Sequence, residues 1–296
     1  MTDAAGLRAA GALHCNLNVR TLAGASGVYE ALGLRVTMQS RAEGQDASAM
    51  GLGQATDSEA WFLYDGRGGR RAPAVELVEW LEPKTAGNAY AHPGEVGMQA
   101  LGFDVPDLDA AIAAVTAQGA RVRPGGPDGV DAVVLDADGV ALELRGAAVE
   151  SSVLRYARIV CADLERSSEW YARLGFDPLG HEAPLQWHHA GKATTVSELR
   201  LALAGPPPLE LRLTGWGSHP TAPAHGQAND RGLFRMALAV PDVRAAVAAA
   251  RQSGGIDASE ASFIPLPGTR LGGLWVSFFR DPDGVMVEYV ERSLGS

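Results

Sequence analysis

The chain has 296 residues, 46% of them apolar and 20% charged, with a formal net charge of -10. That length suits two ordinary domains with real cores, and the composition excludes a disordered or fibrous protein. The acidic balance argues against a nucleic-acid or membrane-surface partner, since both reward clustered Lys and Arg, and no stretch approaches membrane-spanning length.

In chain order, the opening "MTDAAGLRAAGALH" lacks a basic region followed by a long apolar run, so no targeting segment is expected there. "LHCNLNV" alternates as a strand, and "LAGASGVYEALGL" follows as a helix. "AVELVEW" reads as a further strand. "LGFDVPDLDAAIAAVTAQGA" then repeats strand, acidic turn and helix, and "LDADGVALELRG" closes the half with an Asp-x-Asp-Gly turn before a strand. Residues 146–152, "GAAVESS", are the expected boundary. The second half copies the first. "IVCADLERSSEWYARLGF" answers to the opening strand and helix, with Tyr171 over Tyr29 and Gly175 over Gly33, and "LELRLTGWG" answers to "AVELVEWLEP". "FRMALAV" alternates as a strand, Pro241 opens the next segment, and Asp242 is placed to cap the helix "VRAAVAAARQSG". "GLWVSFF" and "VMVEYV" follow as strands around the turn "DPDG". The unit β-α-β-β-β is thus written four times.

That repeat, with "DLERSSEWYARLGF", "VPDLDAA", "VPDVRAA" and the two closing turns, resembles the vicinal oxygen chelate superfamily, which includes glyoxalase I, extradiol dioxygenases and bleomycin-resistance proteins. The resemblance covers nearly the whole chain. It implies an α+β fold in which four βαβββ modules pair into two domains, each a curved mixed sheet around a cleft with helices outside. Taken in sequence order, the domains are 1–148 and 149–296. A crossed pairing of modules stays open, as does a homodimer.

Strand alternation says which side chains face the clefts. Glu76 opposes Val75 and Leu77, Glu143 opposes Leu142 and Leu144, Glu210 opposes Leu209 and Leu211, and Glu288 opposes Val287 and Tyr289. In "LHCNLNV", Leu13, Cys15, Leu17 and Val19 should pack on helices, leaving His14, Asn16 and Asn18 for the cleft. The resemblance implies a metal ligand at the position of His14, and the corresponding positions are Ala100, Tyr156 and Arg235. The N-terminal half then presents His14, Glu76 and Glu143. Two facing carboxylates repel unless a cation or a proton intervenes, so a divalent ion (Fe, Mn, Ni, Co or Zn) is one expectation and a metal-free polar cleft floor is the other. The C-terminal half presents Tyr156, Arg158, Glu210, Arg235 and Glu288 as substrate-binding residues, with Asn16 and Asn18 added from the first half. There a guanidinium between Glu210 and Glu288 would replace a metal, and no cofactor is expected. Tyr156 and Arg235 stand where an extradiol dioxygenase needs histidines, which excludes that activity.

The resemblance implies a small-molecule enzyme, an isomerase, epimerase or lyase, with Glu143 as general base, Glu76 as its partner or a ligand, and His14 as ligand or acid. The alternative is a metal-free protein that sequesters an aromatic or cationic small molecule. Other signals are weaker. His188 and His189 are neighbours on a hairpin and face opposite ways. His92, His219 and His225 lie in Pro- and Gly-rich connectors. Trp61, Trp187, Trp216 and Trp275 could line an aromatic pocket, but core packing explains most tryptophans. Cys15 and Cys161 sit in apolar stretches of different halves, which suits a reducing cytoplasm and supports no thiol nucleophile. Neither a Gly-x-Ser-x-Gly elbow nor a phosphate loop is present.

Overall fold

The computed structural model describes residues 7–203, 205–217, 226–266 and 272–292. The first module runs β1 (Gly11–Val19), α1 (Leu22–Ala31), β2 (Arg35–Ala47), β3 (Leu52–Tyr64) and β4 (Ala74–Glu82), with a short 3-10 turn at Ser48–Met50. The second runs β5 (Gly97–Val105), α2 (Leu108–Ala117), β6 (Arg121–Arg123), β7 (Ala132–Leu135) and β8 (Ala141–Gly146). The third comprises β9 (Val153–Cys161), α3 (Leu164–Arg173), β10 (Phe176–Pro178), β11 (Ala183–His189), β12 (Lys192–Leu203) and β13 (Leu209–Gly215). The fourth comprises β14 (Gly232–Val240), α4 (Val243–Ser253), β15 (Ser262–Leu266), β16 (Gly272–Arg280) and β17 (Met286–Glu291).

Each helix begins as its sequence dictates. Asp107, Asp163 and Asp242 accept from the backbone N–H groups of Ala110, Arg166 and Ala245, and Thr21 does the same for Gly24. The apolar faces of the strands pack on these helices: Cys15, Leu17, Leu77, Leu142, Leu211 and Val287 share one buried core with Val28, Tyr171 and Val247. The closing turns serve that core as well. Asp136 accepts the N–H groups of Asp138 and Val140, and Tyr29 of α1 donates to it at 2.7 Å. Asp281 repeats the arrangement with Asp283, Val285 and Tyr171 of α3. Gly139 and Gly284, both at φ 91°, complete the turns in a conformation open to glycine. The buried Tyr–Asp bonds tie the first module to the second and the third to the fourth.

The sheets pair the modules differently. One sheet runs β15-β16-β17-β14-β1-β4-β3-β2, so the first module shares it with the fourth. The other runs β10-β12-β13-β9-β5-β8-β7-β6 and joins the second module to the third. Antiparallel seams β1–β14 and β5–β9 make these joins. The sheets therefore do not follow domains taken as 1–148 and 149–296, and each cleft draws on both halves of the chain. A second correction is local. The β1 register shifts between Ala12 and His14, which turns Leu13 into the hollow beside His14 and leaves Ala12 on the helix side. Among the described residues no helix is long and apolar enough to cross a membrane.

Candidate functional site

The hollow of the first sheet is lined mostly by apolar side chains, among them Met50, Phe62, Val78, Trp80, Phe234 and Phe278. Four polar residues interrupt that lining where its central strands meet. His14 comes from β1, Glu76 from β4, Arg235 from β14 and Glu288 from β17, and Asn16 is registered with both Glu76 and Arg235. Arg235 lies between the carboxylates, its Nη2 2.6 Å from Glu76 Oε2 and its Nε 3.0 Å from Glu288 Oε2. His14 Nε2 lies 3.2 and 3.5 Å from the same two oxygens. All four side chains are close to sealed, with exposures of 6% for Glu76, 7% for Glu288 and 11% for His14 and Arg235.

Proximity here is not full hydrogen bonding. Among the described residues, His14 Nε2, Arg235 Nε and Glu288 Oε2 have ion-pair distances but no aligned hydrogen bond, and both side-chain amide atoms of Asn16 are buried without a partner. A buried polar atom left so is costly, by about 1–3 kcal/mol, unless something meets it. Burial pushes the Glu288 carboxyl up, but the Arg235 guanidinium, helped by His14, outweighs it and holds Glu288 below the usual carboxylate range. Burial opposes the Arg235 charge as well, and Glu76 and Glu288 more than restore it. Asn18 is spent on structure: its amide donates to the carbonyls of Ala228 and Asp230, and its oxygen accepts from Trp80 Nε1.

The second sheet has the counterpart hollow, and its own side chains fill it. Glu143 receives a two-pronged bond from Arg158 at 2.8 and 2.9 Å and a third from the Tyr156 hydroxyl at 2.6 Å. Arg158, fully buried, also reaches Glu198 and Thr214. Glu210 is held by Arg200 and Arg212, and Arg212 lies 3.7 Å over the Tyr156 ring. Burial raises the Glu143 and Glu210 carboxyls, and the adjoining guanidiniums bring both below the ordinary range. Ala100 packs there against Val133 and Ala141 with no polar role.

These placements regroup the expected site. Glu143 does not join His14 and Glu76; it lies on the other sheet, neutralised by Arg158. Arg235 neutralises Glu76 and Glu288, not Glu210 and Glu288. Tyr156, Arg158 and Glu210 stay together, while Arg235 and Glu288 leave them for the first sheet. A divalent ion does not fit the regrouped quartet. Its place between Glu76 and Glu288 is taken by a permanent cation that offers no lone pair, and among the described residues no set of three or more His, Cys, Asp or Glu side chains is arranged to hold a metal. The arrangement can instead present a fixed positive fork, an imidazole and a carboxylate oxygen to a small polar group. Cys15, pushed up to about 12 by burial, and Cys161, raised likewise, are free buried thiols. His219 and His225 lie outside the described residues. Reading the residues alone passed over Glu198, Arg212 and Arg123; the alternation of "KATTVSELRLAL" offered a signal for Glu198.

Residues 13–133 and 153–289 each match a family model described as the Glyoxalase/Bleomycin resistance protein/Dioxygenase superfamily, between them most of the chain. Glyoxalase I from Zea mays is similar in structure, with a TM-score of 0.64 and 20% identity over 95% of this chain and 92% of that one. A mutant of the same maize protein gives 0.66 and 21%, over 95% and 92%. At such identity the likeness speaks to the fold. Among curated proteins none matches.

Proposed function

The chain belongs to the glyoxalase/bleomycin resistance protein/dioxygenase superfamily, and from that premise we propose that it captures a small molecule in the hollow of its first sheet without a metal ion. The observation that carries this reading is the Arg235 fork set between Glu76 and Glu288, 2.6 and 3.0 Å away. A built-in guanidinium does there the charge neutralisation for which a metal would otherwise be needed. The ligand's polar end meets the unpartnered atoms of His14, Asn16, Arg235 and Glu288. Its body lies against Phe62, Trp80 and Phe234. Two carboxylates against one guanidinium favour a ligand that donates hydrogen bonds or carries positive charge.

The test is quenching of tryptophan fluorescence, with Trp80 as the local reporter, across a panel of small aromatic amines and hydroxy compounds, repeated in EDTA. Saturable binding that EDTA leaves intact and that Glu288→Gln weakens agrees with the reading. Binding that EDTA abolishes contradicts it.

A second reading is metal-independent proton transfer of the isomerase, epimerase or lyase kind. It is favoured by His14 Nε2 and Glu288 Oε2, 3.5 Å apart with no aligned bond to hold them in check. The depressed Glu288 carboxyl makes a weak base and counts against it. Proton–deuterium exchange at carbon in bound 2-hydroxy ketones, lost in His14→Ala, would select this reading over simple capture.

A further inference from the structure

At the mouth of the second hollow four rings meet. His92, from the connector before β5, stands edge-on to His189 of β11 with centroids 5.0 Å apart, and to Trp216 at 5.4 Å. Trp216 in turn meets Trp187 of β11 at 5.4 Å. Behind them, Trp187 lies 5.0 Å from the Arg158 guanidinium. Three buried polar atoms of this cluster have no partner among the described residues: the indole nitrogens of Trp187 and Trp216, and His189 Nδ1. Trp187 is only 2% exposed, so its indole N–H is an unmet donor deep in the wall.

The same mouth holds one more guanidinium, that of Arg123. Arg123 ends β6, and the loop after it is stitched to β11: Gly126 O accepts from the His188 N–H at 2.8 Å, and Pro127 bridges to Trp187. Arg123 makes no hydrogen bond or ion pair among the described residues, although it is half-buried, close enough to His189 to act on it electrostatically and close enough to Glu143 to feel its charge. The local charges show why it is left over. Glu143 and Glu198 are taken by Arg158, and Glu210 by Arg200 and Arg212. Among the described residues three carboxylates therefore face four guanidiniums, and Arg123 is the cation without an ion-pair partner. The exposed Asp128 on the same loop lies 3.5 Å from His188 and is turned to that partner.

We infer that this mouth is a second ligand site, distinct from the His14 hollow, and that it takes a planar aromatic carboxylate. The acid group would sit on the Arg123 fork, whose geometry matches a carboxylate. The ring would lie against His92, His189 and Trp216, where the two indole N–H groups add donors. A metal plays no part.

Benzoate is the probe, with benzamide as its uncharged isostere, read by tryptophan fluorescence and by the imidazole proton resonances of His92 and His189 on the whole chain. Benzoate should quench saturably and move both histidines along one binding curve, and benzamide should bind at least about tenfold more weakly. Arg123→Gln should weaken benzoate by a similar factor and leave benzamide unchanged, and Arg123→Lys should lie between. Equal affinity for benzoate and benzamide, quenching without movement of His92 and His189, or no saturable quenching would overturn the assignment. Should Arg123→Gln unfold, the comparison of the two probes on the unaltered chain decides alone.

Discussion

Replacing Arg235 by Ala removes the one fixed cation between Glu76 and Glu288 and leaves both carboxylates in a pocket where their exposures are 6% and 7%. Among the described residues, His14 is then the basic group left within 4 Å of them. Stranding a buried charge in this way costs about 3–5 kcal/mol. With an unfolding entropy of about 2.1 cal/mol/K per residue, the 296 residues give roughly 0.6 kcal/mol/K, so Tm should fall by about 5–8 °C at pH 7. Acid should shrink that deficit. In the native chain Glu288 titrates below the ordinary range, so its stabilisation is fully present above an unfolded value of about 4.3 and drains as pH falls through the folded value. In Arg235→Ala, burial and carboxylate repulsion favour the protonated acid, so the deficit should shrink between pH 7 and pH 4 and close only below the folded Glu288 value. Circular-dichroism melts of both proteins at matched pH provide the measurement. A fall below about 1 °C at pH 7, or one that does not change between pH 7 and pH 4, would refute the ion-pair reasoning.

The second hollow should be less forgiving: Arg158 is fully buried and serves both Glu143 and Glu198, so Arg158→Ala should lower stability by about 3–5 kcal/mol or more, read as a fall in the denaturant midpoint. Tyr171→Phe removes the hydroxyl donor to buried Asp281 and should cost about 1–3 kcal/mol by the same assay. Burial pushes Asp281 up to about 7 in the folded chain, against about 3.9 unfolded, so the stability its protonated form confers is full below about 3.9 and is lost as pH rises through about 7. Asp281→Asn should flatten the Tm profile between those values, and an unchanged slope would contradict it.

Strand alternation carried Glu76, Glu143 and Glu288 correctly to the concave faces, because a period of two leaves each acid opposite residues that must pack on helices. The Asp242 cap and the two closing turns were legible for a similarly local reason. Partnership between strands was not. Which strand lies beside β1 is decided by how whole modules dock, and alternation is identical for either neighbour, so nothing in "FRMALAV" told that Arg235 would face Asn16 and Glu76. The bulge that turns Leu13 inward hides in the same way, since one extra residue leaves the apolar pattern nearly intact. His92 read as part of a linker because its neighbours are Pro and Gly; its edge-on contacts with His189 and Trp216 give it a setting.

On the proposed reading, Arg235 stands in for a divalent ion. Titration calorimetry with Zn(II) on the native chain and on Arg235→His tests it most directly. Histidine at that position would supply a second imidazole beside His14, Glu76 and Glu288, a donor set suited to zinc. The native chain should show no stoichiometric uptake at this site, and Arg235→His should take up one equivalent that a further His14→Ala change removes. One equivalent bound by the native chain and lost in His14→Ala would contradict the account.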